Sequence, residues 1–309
     1  MGQRRVAVFG ATGQVGTPLT RSLLKQGHHV VAVSRGRSTH NESRLVDLEE
    51  RGAQLAFCEN LRRVDLVAEI LKGCDTLVAA VRADREFLVE VEPVLLEAAS
   101  KAGVQRFVPN EFGVHTQGLD YGSGVIFDRK KDFQKLLFAS GLEWTLFFCG
   151  GIFDYILPNL RYFERITTFG DLDIPIFTHH IKDIGRVAAL AVVDGRTANK
   201  CVQMDYNVLT QREMLALLKR LWPDHPFEYQ HYPTEYILEL REAAGDEITA
   251  KKGEETDKER WGINYVLYVA DKLAAFNEIT LRTSELYPDY ACTKPADVLK
   301  DPSFVFDTD

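Results

Sequence analysis

The sequence predicts a doubly wound α/β fold on a parallel sheet. Three observations carry that expectation. Short apolar runs alternate with amphipathic stretches through the first half, and the first run ends in glycines at three-residue spacing. In addition, 309 residues with 45% hydrophobic and 27% charged content suffice for one large domain or two coupled ones. Residues 5–9 read as a buried strand, 15–25 as a helix, 29–34 (HVVAVS) as a second strand and 54–57 as a third. A helix at 61–71, a fourth strand at 76–81 and a long helix at 86–102, closed by Gly103, follow. Strand five at 106–109 (RFVP), a helix at 127–140 ended by Gly141 and strand six at 144–148 (WTLFF) complete the doubly wound order. Past Tyr155 the alternation weakens, although 200–205 still reads as a strand and 211–221 as a helix.

Composition narrows the function classes. The formal net charge of −8, with no Lys/Arg stripe interleaved with aromatics, argues against nucleic acid as a partner. No apolar run approaches 18 residues and the N-terminus enters a strand directly, so the expectation is a cytoplasmic protein without a membrane partner. The Met-Gly start has Val6 where a myristoylation signal needs Ser or Thr. Five scattered cysteines (Cys58, Cys74, Cys149, Cys201 and Cys292) form no CxxC pair, so reduced thiols and no metal site are expected. The charged run KKGEETDKER at 251–260 reads as a solvated helix or loop.

The stretch VFGATGQVG places Gly10, Gly13 and Gly16 where strand one turns into a helix. Such a turn is tight, lets backbone approach a pyrophosphate and offers it the helix N-terminus. This is the fingerprint of an NAD(P)-binding Rossmann fold, with the Thr12 hydroxyl and the Gln14 and Val15 amides as further cofactor contacts. Strand two ends in Ser34, Arg35, Gly36, Arg37 without the acid that would accept from a ribose 2′-hydroxyl. A guanidinium pairs with a 2′-phosphate, so NADPH is expected, with Ser34, Arg35 and Arg37 at the phosphate. Val81, closing strand four, is a further candidate on the cofactor side. The chain is expected to divide into an NADP-binding Rossmann domain at 1–155 and a smaller α/β substrate-binding part at 156–309, interleaved with the sheet around 183–205.

The search for a catalytic group begins with a Tyr-x-x-x-Lys pair on the helix after strand five. Four residues before Lys130 and Lys131 stand Ile126 and Phe127, and Tyr121 lies nine residues before Lys130, out of helical register. The pair is absent. The ordered segments VFGATGQVG, RFVPNEFG (106–113), VIFDRK (125–130) and SELYPDY (284–290), with DIGRVAALAVVD (183–194) and the NKCV segment beginning at Asn199, resemble the NmrA-like family over nearly the whole chain. The likeness is greatest to the isoflavone reductase and phenylcoumaran benzylic ether reductase branch of the atypical short-chain dehydrogenases. That resemblance implies an oxidoreductase of aromatic secondary metabolism, isoflavonoid-, lignan- or polyketide-like in substrate, with Lys130 as a lone catalytic lysine. It also implies that Glu111, Phe112 and Gly113, and Cys149, Gly150, Gly151, Ile152 and Phe153, lie beside the nicotinamide.

Burial strips such a lysine of solvation, which suits it to take a proton from a phenol or give one to an enolate as hydride adds from NADPH. A conjugated ketone would need its oxyanion stabilised, and a benzylic ether would need its para-phenol deprotonated so that a quinone methide accepts the hydride. Phe112, Tyr121, Phe153 and Tyr155, with Tyr162 nearby, are the aromatic candidates for the substrate wall, or else core. Arg82 after strand four and the loop 114–124 depart from the reductase pattern and bear on the substrate. His115, His179 and His180 are candidate proton carriers whose alternative is structural burial. The second function class is a redox sensor of the same family, which binds NAD(P) without turnover. Monomer and homodimer both remain open.

Overall fold

The computed structural model describes residues 2–156, 165–224, 226–243, 257–272, 277 and 279–300. The first half runs β1 (Arg5–Phe9), α1 (Gly16–Lys25), β2 (His29–Ser34), α2 (Glu42–Glu50), β3 (Gln54–Phe57), α3 (Val64–Leu71), β4 (Thr76–Ala79), α4 (Glu92–Ala102), β5 (Arg106–Val108), α5 (Val125–Ala139) and β6 (Glu143–Phe148). The second half continues with β7 (Gly151–Ile152), α6 (Phe153–Ile156), β8 (Ile166–Phe169), β9 (Ile176–His179), α7 (Ile181–Ala191), β10 (Lys200–Gln203), β11 (Val208–Leu209) and α8 (Gln211–Leu221). It ends with β12 (Tyr229–Tyr232), α9 (Thr234–Ala243), α10 (Asp257–Tyr268), β13 (Leu281–Arg282) and two single-turn helices, α11 (Thr283–Leu286) and α12 (Pro295–Val298).

Eight of these strands form one sheet in the order β13-β10-β6-β5-β4-β1-β2-β3, every neighbouring pair parallel. The order reverses between β1 and β4, where a doubly wound sheet opens its binding crevice. One buried cluster joins Phe9, Leu77, Leu95, Phe107 and Leu137 on one face, and a second joins Val8, Leu19, Ala32, Ile184 and Val202 on the other. A third, around Phe169, Ile176, Met214 and Val266, also takes Val114, Leu119 and Phe127 from the loop after β5 and from α5. The second half returns β10 and β13 to the sheet, and the segment at 284–290 is docked by carboxylates. Asp205 accepts from the Ser284 amide (2.9 Å) and hydroxyl (2.7 Å), and Asp183 accepts from the Tyr290 hydroxyl (2.6 Å) and the Thr293 amide (2.9 Å).

Several boundaries differ from the sequence reading for identifiable reasons. The helix expected from 61 starts at Val64 because Asn60 folds back on the Arg62 amide (3.0 Å) in an Asx turn. The long helix expected at 86–102 opens as a π turn at Phe87–Val91 before α4, since Pro93 has no N–H for the preceding turn. Strand four stops at Ala79 rather than 81, and the Val81 carbonyl accepts from the Asn110 side chain (2.6 Å). The helix expected at 127–140 is Val125–Ala139, and the strand expected at 200–205 closes at Gln203. The sequence reading missed α2, a charged segment that buries only Leu45 and Leu48. Of the run 251–260, residues 251–256 lie outside the described residues and 257–260 begin α10. Among the described residues no helix is long and apolar enough to cross a membrane.

Helices α1 and α7 cross at Gly185, where a Cβ would stand 2.6 Å from both the Leu19 amide nitrogen and Pro18 Cγ. Gly185→Ala gains about 1 kcal/mol of helix propensity but overpacks a backbone contact, typically at a cost of about 1–3 kcal/mol. The expected outcome is a net lower urea midpoint; a raised midpoint would mean that the two helices are not in contact there.

Candidate active site

The turn after β1 is built by close approach. Gly10 has φ +78°, and a Cβ on it would stand 2.4 Å from the Ala80 carbonyl oxygen; a Cβ on Gly16 would stand 2.0 Å from the Gly10 oxygen. Only glycine fits either position. The Gly13 amide donates to Gly10 (2.8 Å) and the Thr17 amide to Gly13 (2.9 Å), which winds the turn into α1. Helix α1 carries no side-chain cap, so its start presents the positive end of the helix dipole to an anion. Thr12, Gln14 and Val15 lie on this turn. Arg44 of α2, which the sequence reading missed, donates to the Thr12 carbonyl (2.7 Å) and so brings a guanidinium to the same edge. At the end of β2, Ser34 donates to the Gly36 carbonyl (3.1 Å), as does the Asn41 side chain (2.9 Å), and together they fold the loop. Arg35 is exposed, whereas Arg37 is bound to Glu42 (2.6 Å) and Glu49 (3.6 Å) and lies over the Phe57 ring.

The second half of the site lies along the carboxyl ends of β4, β5 and β6. Lys130 is 6% exposed, with its Nζ 4.0 Å from Glu111 Oε2. Glu111 itself is 1% exposed and accepts from Gln134 Nε2 (2.7 Å) and Thr116 Oγ1 (3.1 Å). Gln134 stands one helical turn after Lys130, so both face inward from α5 beside Phe133 and Leu137. Glu92, at the start of α4, accepts from the Asn110 amide (2.7 Å), and the Asn110 side chain in turn reaches Val81. Burial pushes the Glu111 carboxyl up, with Lys130 opposing; burial, with the nearby Glu111, pushes Glu92 up to about 8. The Cys149 thiol is pushed up to about 12 by burial, again opposed by Lys130. The Cys149 and Gly150 amides donate to the Gly113 carbonyl (3.1 and 2.9 Å), which ties the loop after β6 to the one after β5. Gly10 against Ala80, Val81 on Asn110, and Glu111, next in the chain, facing Lys130 therefore form one continuous line from the glycine turn to the lysine.

The aromatic candidates scatter. Phe112 packs on Phe147, with ring centroids 5.9 Å apart, and Phe153 is fully buried in the third apolar cluster. Tyr121 does not join Lys130. Its ring lies beneath the ammonium groups of Lys131 (4.4 Å) and Lys135 (4.6 Å), and its hydroxyl donates to Asp132 (3.0 Å), so it packs on the exposed face of α5. The Tyr155 side chain, and Tyr162 altogether, lie outside the described residues. Two of the three histidines are structural. His179 donates from Nδ1 to the Cys149 carbonyl (2.8 Å) and accepts at Nε2 from the Tyr206 and Asn207 amides (3.1 and 3.3 Å). His115 pairs with Thr280 (2.8 Å) and lies tilted against the Phe148 ring, centroids 4.2 Å apart. His180 is the N-cap residue of α7.

A nucleotide-type crevice with an inward lysine defines a doubly wound α/β protein of the dinucleotide-binding kind. The sequence profile of the NmrA-like family matches residues 2–291, and the chain belongs to that family. It is 28% identical to an isoflavone reductase homolog of Nicotiana tabacum, over 71% of this chain and 73% of that protein. It is 27% identical to pinoresinol reductase 1 of Arabidopsis thaliana, over 70% and 74%. A solved structure of AtPrR2 with NADP+ and (+)-pinoresinol superposes with a TM-score of 0.81 at 23% identity, covering 97% of this chain and 99% of that one; at that identity it speaks to the fold.

Burial lowers both His115 and His179 to about 4. An exposed imidazole in the unfolded chain takes up its proton near 6.5. Their contribution is thus complete above about pH 6.5 and lost as pH falls toward 4, on the order of 3 kcal/mol for the fully buried His179. Buried carboxyls with raised values act in the opposite sense over the same range, so the readout is the difference in urea midpoint between wild type and His179→Gln, in which they cancel. It should move against the wild type as pH falls across that window, and a constant difference would count against a neutral buried ring.

Proposed function

We propose that this chain is an NADPH-dependent reductase of an aromatic secondary metabolite, isoflavonoid-, lignan- or polyketide-like, with Lys130 as the proton-transfer group. The observation that carries the reading is the continuous line of contacts from the Gly10 turn to buried Lys130 along the ends of three adjacent strands, β1, β4 and β5. The relatives' names, pinoresinol reductase and isoflavone reductase homolog, support the substrate class, and the NADP+ in the AtPrR2 structure supports the cofactor. The residues present fit a phosphorylated dinucleotide. The Gly10, Gly13 and Gly16 turn leaves no Cβ in the way of a pyrophosphate, and the uncapped start of α1 faces an anion with partial positive charge. Exposed Arg35, Arg37 in an exposed pair with Glu42 and Glu49, and Arg44 on the Thr12 carbonyl supply cations for a 2′-phosphate.

When bound, NADPH supplies the hydride. Lys130 holds or takes the proton at the substrate's phenolic or carbonyl oxygen, and Glu111 keeps its ammonium compensated inside the protein. Gln134 and Thr116 fix Glu111, and the Gly113 carbonyl fixes the loop carrying Cys149 and Gly150. The overall charge and composition support a soluble cytoplasmic enzyme.

Loss of NADPH absorbance against isoflavones, benzylic-ether lignans and aromatic polyketide enones is expected with one scaffold, and Lys130→Ala should lower that turnover by about 10²–10⁴-fold. Full turnover in Lys130→Ala would remove the lysine from the chemistry. Tight NADPH binding with no turnover on any scaffold would favour the sensor class instead. Arg35→Asp should weaken NADPH by roughly tenfold or more while sparing NADH, as loss of one charge-assisted contact requires; equal affinities would place the 2′-phosphate elsewhere.

A further inference from the structure

Glu92 has no part in the roles assigned so far, yet it is 1% exposed at the start of α4 and receives the Asn110 amide at 2.7 Å. Through the Asn110 side chain on Val81 it links α4 to the ends of β4 and β5. The charged groups acting on it are Glu111, from the loop after β5, and Lys130, from α5; the Cys149 thiol beside Lys130 stays neutral. Two buried carboxyls thus share one buried ammonium. With both ionised, the interior would carry a net negative charge that no solvent screens.

Hydrogen bonding decides which of the two keeps its proton. Glu111 faces Lys130 and accepts from Gln134 and Thr116, all of which favour its charged form, whereas Glu92 receives, among the described residues, the Asn110 amide alone. We propose that Glu92 is a positioning residue that holds a proton beside the Glu111–Lys130 pair, so that the lysine faces a single negative charge. The proposal rests on the reading of Lys130 as the proton-transfer group. Burial and Glu111 place the ionisation of Glu92 at about 8. Below that pH the three groups are neutral in sum, and Lys130 is held by Glu111 alone. Above it a second carboxylate adds a negative charge beside the Glu111–Lys130 pair, which slows the step in which the lysine gives a proton to the substrate's carbonyl oxygen.

The experiment compares wild type with Glu92→Gln, which preserves an acceptor for the Asn110 amide and removes the titration. Wild-type kcat should fall as pH rises through about 8, and the variant should lose that limb while staying within a few-fold of wild type at pH 7. A second readout needs no turnover. A carboxyl whose folded value is raised above its unfolded value of about 4.3 loses stability as pH climbs toward about 8 and no further beyond. The Tm advantage of Glu92→Gln should therefore grow from pH 5 to 8 and then level off. A constant Tm difference would overturn the buried proton, and an unchanged alkaline limb would overturn the positioning role. A growing Tm difference together with full activity in Lys130→Ala would leave the proton on Glu92 but overturn the reading on which its role depends.

Discussion

Every part of the site hangs on the parallel hydrogen bonding of β1 between β2 and β4, because that is where the sheet changes direction. The connections leaving β1 and β2, helices α1 and α2, pack on one face, whereas those leaving β3, β4 and β5, helices α3, α4 and α5, pack on the opposite face, so the chain parts beside β1 and leaves a crevice at the strand ends. The turn after β1 fills the crevice floor only because Gly10 can lie against the Ala80 carbonyl. Shift β1 by one residue and a side chain would stand where backbone must pass. Sheet register and ligand approach are thus a single constraint.

The second requirement is a lysine inside a protein. A buried ammonium is affordable only with a carboxylate opposite it, and a buried carboxylate only with donors of its own. Glu111 answers the first need, while Gln134 and Thr116 answer the second. The same residues lie on the loop after β5 and on α5, so the polar cluster that makes Lys130 tolerable also fixes the loop that walls the crevice. Deleting any one member leaves a buried group unmatched, which is a larger perturbation than the loss of its own contact.

The C-terminal segment completes the scaffold from outside. Asp183 and Asp205 each receive two or more donors from residues 284–293, and β13 adds the outermost parallel strand beside β10. His179 joins the loop after β6 to the start of the segment after β10 through three backbone partners. The motif SELYPDY is therefore a clasp on the sheet's far edge.

Alternation of apolar runs and helical stretches was enough to place the six strands from 5 to 148 in order, because a strand buried on both faces must be continuously apolar. The glycine turn was equally legible, since Gly10, Gly13 and Gly16 directly follow a strand and open a helix, and Lys130 was reached by resemblance rather than by any local pattern. Tertiary structure alone decided the rest. It turned Arg37 onto Glu42 and Glu49, laid Tyr121 on the outside of α5, and spent His115 and His179 on buried partners. It also brought Glu92, Gln134 and Arg44 to the site from positions with no sequence signal. The physical reason is range. Hydrophobic periodicity and backbone conformation act between neighbours in the chain, whereas the protonation and pairing of a polar group depend on which distant groups surround it once water has been removed.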